Sequence, residues 1–241
     1  MTSKIEAVIF DLDGLLLDTS RILMKALDYA GEIVGIGRAG SAMLKTLGMD
    51  EIAALNIMRK TYGYTYDLKE LYRHFIKYMS AIAMSGIPPV RPGGMTLLKY
   101  LSQKGYRLAA CTPFSQGYTQ QWLNCAHIGS LLEIIICVDT VDNRNENPNV
   151  YLETCRRLGV FPGNCIALDD SPHGIMNAYS AGLIPIMVPD LVKGDKKIEK
   201  CTYKSCDSLF EVLELFQNGD LEYAGDWDLR HIYQAETRKR A

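Results

Sequence analysis

The sequence predicts an α/β protein, a doubly wound parallel-sheet core with Rossmann-like topology and an inserted α-helical cap domain. Short apolar runs ending in polar residues alternate with helical patterns over most of the 241-residue chain. One interval of about seventy residues contains helical patterns only, as an inserted helical domain would. A composition with 48% hydrophobic and 22% charged residues is that of a globular protein with a sizeable core.

Five short apolar runs are the predicted strands. Each is followed closely by polar residues or proline, and runs of this length are typical of strands buried on both faces of a parallel sheet. In chain order they cover residues 7–10, 107–111, 133–138, 165–168 and 184–188.

Helical periodicity lies between and after these runs. The predicted core helices cover residues 95–104, 148–158, 174–181 and 208–216. A helical cap is predicted over 18–88, with hinges near Asp18 and near Pro88 to Pro92. The remaining predictions are a catalytic core formed by 1–17 and 89–241, an exposed charged stretch over 193–200 and a polar tail over 217–241.

Charge and hydropathy limit the classes of partner. A net charge of −2 gives no general electrostatic attraction for nucleic acid or an anionic membrane. No run approaches the roughly 18 apolar residues of a membrane-spanning helix, and acidic residues stand where a signal peptide would be apolar. We therefore expect a cytoplasmic protein that binds a small charged ligand locally. The sequence does not indicate an oligomeric state.

Acidic residues follow several of the predicted strands. Ligands of open α/β sheets bind beyond the carboxyl ends of the strands, so these positions are candidates for a site. A role as turn or helix cap would explain Asp13 and one of Asp169 and Asp170, but not both pairs together. Carboxylates in such number, without basic residues in the same short loops, favour a hard divalent cation, with magnesium fitting best. The residues at the strand ends are Asp11, Asp13, Thr112, Asp139, Asp169 and Asp170.

The Asp-x-Asp-Gly spacing after the first strand favours phosphoryl transfer. Side chains alternate along an extended chain, so Asp11 and Asp13 lie on the same side. One carboxylate can then attack a phosphorus atom while the other moves a proton. Hydroxyl and backbone donors at Thr112 would hold the phosphoryl oxygens, which predicts a reaction through an aspartyl-phosphate.

Two segments resemble signatures of the haloacid dehalogenase-like hydrolases. VIFDLDGLLLDTS resembles the first signature of the family, and CIALDDSPHGIMNAYSAGL resembles the fourth. The helical insert directly after DxDG is similar to the cap of the subgroup that contains β-phosphoglucomutase, phosphoglycolate phosphatase and small sugar phosphatases. The resemblance extends from about Ile5 to Phe216, nearly the whole chain.

The resemblance implies roles for the four aspartates. It implies that Asp11 is the nucleophile and Asp13 the general acid and base. It also implies magnesium held by the Asp11 side chain, the Asp13 carbonyl and Asp170. Asp169 would contact the metal directly or through water.

The phosphate-binding positions match the family only in part. The resemblance implies that Thr112 is the phosphate-binding hydroxyl, that Gly14 lets the chain turn and that Ser171 supports the metal shell. Asn145 stands where the family usually has a phosphate-binding lysine, and Pro113 stands where members often offer a backbone N–H. Both departures weaken anion binding.

The sequence therefore predicts a magnesium-dependent phosphohydrolase of a small phosphomonoester, such as a sugar or nucleoside phosphate. Two alternatives stay open, a phosphomutase with the same core residues and a catalytically impaired member that acts as a binding or regulatory protein. Residues of the insert could contact the ligand, although cap packing or exposure to solvent explains each of them more simply. These cap residues are Arg38, Lys45, Tyr62, Tyr64 and Tyr66.

Overall fold

Strands and helices alternate along the chain. The computed structural model describes residues 4–46, 51–85, 90–140, 150–221 and 224. The strands are β1 (Ala7–Asp11), β2 (Arg107–Thr112), β3 (Ile134–Cys137), β4 (Cys165–Asp169), β5 (Ile184–Met187) and β6 (Lys204–Ser205). The helices are α1 (Ser20–Ile33), α2 (Glu51–Tyr62), α3 (Leu68–Met84), α4 (Gly94–Gln103), α5 (Gln116–Ala126), α6 (Val150–Leu158), α7 (Pro172–Ser180), α8 (Lys196–Glu199) and α9 (Leu209–Asn218).

The strands form one parallel sheet in the order β3-β2-β1-β4-β5-β6. The strand order reverses between β1 and β4, which is where open α/β sheets leave a crevice for ligands. In the register of the sheet, Asp11 lies beside Cys111 of β2, and Phe10 lies beside Leu168 of β4. The carboxyl ends of β1, β2 and β4 therefore meet at one edge, as the sequence predicts.

The two faces of the sheet are both covered by helices. Val8 and Phe10 of β1 face a cluster formed with α4, α5 and α9, whereas Ala7 and Ile9 face a cluster formed with α6 and α7. This alternation follows from the two-residue period of a strand and explains why the strands are apolar throughout. The predicted fold class is confirmed.

The helices α1 to α3, together with a 3₁₀ helix over Gly40–Lys45, lie between β1 and α4. The chain leaves and re-enters the sheet region at one point, where Leu17 and Val90 form an antiparallel bridge. The Arg91 N–H donates to the Leu16 carbonyl at 2.9 Å beside that bridge. The insert thus begins and ends next to the carboxyl end of β1.

The predicted exposed stretch over 193–200 is exposed except at Gly194 and Ile198, and it contains the short helix α8. Asp195 caps this helix by accepting from Lys197 N and Ile198 N at 2.9 and 3.0 Å. Ile198 is buried against Met187 of β5. One apolar residue in a charged run gives too weak a periodicity to predict a helix.

The predicted polar tail from residue 217 is wrong for its first part. Helix α9 continues to Asn218, and Gly219 ends it in a left-handed conformation with φ of 79°. This turn brings Leu221 and Ala224 back onto the main apolar cluster, where both are buried. Residues 225–241 lie outside the described residues. Within the described chain, no helix has the length and apolar character to span a membrane.

Candidate active site

Asp11 and Asp13 lie at the carboxyl end of β1, where the chain turns sharply toward the insert. Asp11 is the last residue of the strand, and Asp13 is partly buried. The Gly14 N–H donates to the Leu17 carbonyl at 2.8 Å and closes the turn. The buried Thr19 hydroxyl donates to Asp13 Oδ1 at 2.9 Å. The Asp13 carboxylate is therefore held in one orientation.

Gly14 lies in close contact with the end of β4. Its φ of 96° is in the left-handed region that favours glycine. A Cβ at this position would lie 2.4 Å from Asp170 Oδ2 and 2.7 Å from Ser20 Oγ. The guanidinium of Arg91 also donates to the Gly14 carbonyl. Only glycine fits this turn while leaving open the space in front of Asp170.

Thr112 connects the end of β2 to the Asp13 carboxylate. Its buried hydroxyl donates to Asp13 Oδ2 at 3.2 Å and accepts from the Phe114 N–H at 3.2 Å. Pro113 lies between these two residues and has no N–H. The Asp139 carboxylate accepts from the Gln116 N–H at 2.9 and 3.1 Å, at the first residue of α5. Asp139 therefore stabilises the start of a helix that borders the site.

Asp169 and Asp170 face different surroundings at the end of β4. Asp169 accepts from Ser171 N at 2.9 Å, from Ser171 Oγ at 2.8 Å and from the Tyr151 hydroxyl. The Ser171 hydroxyl also accepts from the Gly174 N–H at 3.0 Å and so caps α7. Asp170 Oδ2, by contrast, is buried without a hydrogen-bond partner in the described chain. Asp169 thus fixes the loop, and Asp170 presents an unpaired oxygen.

Burial and mutual repulsion raise the pKa values of these carboxyl groups. Burial is the main cause that raises the pKa of Asp11 well above its usual value, followed by the charges of Asp169 and Asp170. Burial likewise raises the pKa of Asp170, although the positive charge of Arg91 acts in the opposite direction. Burial raises the pKa of Asp13 to about 6, against the two threonine hydroxyls that donate to it. Together these carboxyl groups carry more negative charge than the nearby positive charges and hydrogen-bond donors compensate.

This donor set fits the magnesium ion that the resemblance implies. Asp170 Oδ2 lacks a partner, and the missing side chain of Gly14 leaves space beside that oxygen. Among the described residues, no three His, Cys, Asp or Glu side chains converge on one metal position. A fitting donor set is therefore the Asp11 and Asp170 carboxylates completed by carbonyl and water oxygens. Mg²⁺ prefers such a set, since it binds few carboxylates and keeps several waters.

A cavity of about 260 Å³ lies between the sheet edge and the insert. Asp11, Asp13 and Asp170 line it on the sheet side, with Asp139 and Ser171 nearby. On the opposite side the cavity is lined by residues of α1, α2, α3 and the 3₁₀ helix. A small ligand bound here would be enclosed between the carboxylates and the insert.

The cap residues considered from the sequence do not line this cavity in the described structure. Arg38 pairs with Asp28 at 3.1 Å, and Lys45 is exposed. Tyr64 is exposed, while Tyr66 lies beside Tyr64 in a separate surface depression. Tyr62 packs against the apolar cluster of the insert. Packing and exposure to solvent account for all five of these side chains.

Sequence reasoning missed the contacts of Thr19 and Tyr151, and it named Asp139 as a candidate without predicting that it accepts from the Gln116 N–H. Thr19 lies in the quoted segment DLDGLLLDTS, so its place six residues after Asp13 was a usable signal. Tyr151 was predicted only as an apolar position of a helix, and its contact with β4 depends on tertiary packing. Asn145 lies outside the described residues.

The fold and the carboxylate-rich edge fit a hydrolase, and the family match together with the named phosphatases among the relatives shows that the protein is a phosphatase-type hydrolase. Residues 8–188 match the family model of the haloacid dehalogenase-like hydrolases. The chain belongs to the haloacid dehalogenase-like hydrolase family, which confirms the resemblance drawn from its sequence.

Relatives of known name cover most of the chain. It is 26% identical to the phosphorylated carbohydrates phosphatase of Thermotoga maritima over 74% of this chain and 82% of that protein. It is 28% identical to the protein CbbY of Rhodobacter capsulatus, over 80% and 89% of the two chains. The crystal structure of a β-phosphoglucomutase from Clostridium difficile superimposes with a TM-score of 0.73 at 23% identity, over 89% and 96% of the two chains. This structural likeness supports the fold.

Proposed function

We propose that the protein is a magnesium-dependent phosphohydrolase that acts on a small phosphomonoester through an aspartyl-phosphate. In this proposal the core consists of residues 1–17 and 89–241, and residues 18–88 form the cap. The observation that carries the proposal is the placement of Asp11 and Asp13 side by side on the cavity, with the pKa of Asp13 raised to about 6 by burial. A carboxyl group with such a pKa can both give and take a proton near neutral pH.

In the first half of the proposed reaction, a carboxylate oxygen of Asp11, which bound Mg²⁺ would keep ionised against the effects that raise its pKa, attacks the phosphorus atom of the ester. The bond between phosphorus and the ester oxygen breaks, and the protonated carboxyl of Asp13 gives its proton to the departing alcohol. Thr112 Oγ1 and Thr19 Oγ1 hold the Asp13 carboxyl group in place for this transfer. The products are the free alcohol and a phosphorylated Asp11.

In the second half, the Asp13 carboxylate takes a proton from a water molecule. The water oxygen attacks the phosphorus atom, the bond from phosphorus to Asp11 breaks, and inorganic phosphate leaves. Asp11 and Asp13 return to their starting states. Mg²⁺ bound by Asp11, Asp170 and the Asp13 carbonyl would supply positive charge to the phosphoryl oxygens.

The proposal is tested by phosphate release from a panel of small phosphomonoesters with the purified chain. We expect release with Mg²⁺, loss of release with excess EDTA, and a loss of at least about 10³-fold in Asp11→Asn, because the attacking oxygen is removed. Acid-quenched samples should also carry a phosphoryl group on the peptide that contains Asp11. Asp220→Asn, which changes an exposed carboxylate away from the cavity, serves as the matched control.

Wild-type release no faster than that of Asp11→Asn over the whole panel would contradict the proposal. It would favour the second candidate, a family member that binds a phosphorylated ligand without turning it over. The observation that favours this candidate is Pro113, which lacks a donor at the edge of the cavity.

A further inference from the structure

The wall of the cavity that faces the carboxylates is apolar. The described cap residues on this wall are mostly leucine, methionine and phenylalanine, and among them only Thr46 and Tyr72 carry a side-chain hydroxyl. Nine apolar cap residues line the wall. Among them are Leu27, Met43, Leu55, Met58, Leu71 and Phe75.

The apolar lining continues from the insert onto the core. Pro113 and Phe114 extend it beside the end of β2, and the Phe114 ring packs against Tyr118 with ring centroids 4.6 Å apart. In the part of the chain that the structure describes, no lysine, arginine or histidine lines the cavity. Among the described lining residues, the charged groups are therefore confined to the sheet side, and the remaining lining is mainly apolar apart from the hydroxyls of Thr46, Tyr72 and Ser115.

Because the wall opposite the carboxylates is apolar, the cavity favours an apolar alcohol over a sugar as the leaving group. The hydroxyl groups of a sugar would leave water without finding partners on the apolar wall, which opposes binding. A hydrocarbon group would gain by leaving water for the same wall. An apolar cavity of about 150 Å³ holds one benzene ring, so 260 Å³ accommodates a single ring together with a phosphoryl group.

We infer that the substrate is a phosphomonoester of an apolar alcohol, with a hydrocarbon part of about one six-membered ring. This inference rests on the proposed function and specifies its substrate class. The phosphoryl group lies against Asp11 and Asp13, and the hydrocarbon part lies among Leu55, Met58 and Phe75 of the insert. Specificity then comes from apolar contact with the cap, whose described residues on the cavity carry no charge.

The test compares two esters that differ in the ring oxygen and hydroxyl groups of the sugar. Cyclohexylmethyl phosphate and glucose 6-phosphate each carry a phosphorylated CH₂ group on a six-membered ring, so their leaving groups are alike. We expect kcat/KM for the cyclohexylmethyl ester to exceed that for the sugar ester by about tenfold or more. Acetyl phosphate, which is small and reactive, is measured in parallel to report the core chemistry independently of the apolar wall.

A pair of leucine variants tests the contribution of the wall. Leu55→Gln places an amide on the cavity, and we expect it to reduce the ratio of the two kcat/KM values by about tenfold. Leu44→Gln makes the same change at an exposed cap position outside the cavity and should leave the ratio unchanged. Thermal melting of both variants by circular dichroism checks that they are folded.

Three results would overturn the inference. If acetyl phosphate is hydrolysed by the wild type but not by Asp11→Asn, and the sugar ester is used as well as the cyclohexylmethyl ester, the substrate class is wrong and the proposed function stands. An equal ratio in Leu55→Gln and wild type has the same meaning. If no compound is hydrolysed, acetyl phosphate included, the proposed function fails and the substrate inference fails with it.

Discussion

Pro113 determines how many donors a phosphoryl oxygen can find beside Thr112. The Phe114 N–H is directed to the Thr112 hydroxyl at 3.2 Å, and Pro113 has no N–H of its own. Any other residue at this position would add a backbone donor at the edge of the cavity. Donors aimed at developing negative charge are among the strongest contributions to catalysis.

Replacing this proline tests its effect on the reaction. We expect Pro113→Ala to raise kcat/KM for the preferred ester by about tenfold or more, because a new N–H can contact the phosphoryl oxygens. Steady-state phosphate release measures the change. Pro162→Ala, in the turn before β4, is the control and should have wild-type activity. An unchanged or lower kcat/KM in Pro113→Ala would mean that the donors already present suffice.

The residue pattern identified the aspartates at this edge, but only the family resemblance, and not the pattern itself, assigned different roles to Asp169 and Asp170. Adjacent residues of an extended chain point to opposite sides, so only one of the two can face the cavity. The choice depends on Tyr151 and Ser171, which bind Asp169 from inside the protein. Tyr151 is 18 residues away in the chain, and no local pattern predicts that contact.

At the scale of elements, α7 and α9 begin in the same way and differ in what their caps hold. The Ser171 hydroxyl accepts from Gly174 N at 3.0 Å, and the Ser208 hydroxyl accepts from Glu211 N at 3.3 Å. Ser171 also donates to the buried Asp169 carboxylate. Ser208 therefore stabilises a helix end only, whereas Ser171 stabilises a helix end and a buried charge.

Alanine at each serine separates these two contributions. We expect Ser208→Ala to lower the free energy of unfolding by about 1 kcal/mol, the usual cost of an N-cap. Ser171→Ala should cost about 2 to 3 kcal/mol, since a hydrogen bond to a buried charged group is also lost. Urea denaturation followed by circular dichroism measures both. Equal losses in the two variants would contradict a structural role for the bond from Ser171 to Asp169.

Strands β1 to β5 were predictable because each contains a short apolar run, whereas β6 and α5 were not. Strand β6 consists of the exposed residues Lys204 and Ser205 at the sheet edge, so nothing apolar marks it. Helix α5 buries Tyr118, Trp122 and Ala126, at the spacing of a helical face. Glutamine, asparagine and threonine separate these residues and obscure the periodicity.

The molecule as a whole is joined by an apolar cluster that includes both the insert and the sheet. Leu23 and Met79 of the insert belong to the same cluster as Phe10 of β1 and Trp122 of α5. A smaller cluster around Leu71 belongs to the insert alone. Because the larger cluster is shared, we expect the insert and the core to unfold together.

A pair of methionines on α3 tests this coupling. Met79 is fully buried in the shared cluster, and Met84 is 83% exposed. We expect Met79→Ala to lower the free energy of unfolding by about 2 to 5 kcal/mol, and Met84→Ala to change it by less than about 0.5 kcal/mol. In both variants, circular dichroism and tryptophan fluorescence should report one coincident transition. Separate transitions would show that the insert unfolds independently.

The bridge between Leu17 and Val90 has a consequence for how such a protein can change over evolutionary time. The two ends of the insert are hydrogen-bonded neighbours, so the length and sequence of the chain between them do not set the spacing of β1 and β2. Mutation and recombination can therefore change the insert while the carboxylates at the end of β1 stay in position. Under the proposed function, related proteins can then differ in the alcohol that they accept and still keep the same reaction. The condition is that the apolar contacts around Met79, which the insert shares with the core, are kept.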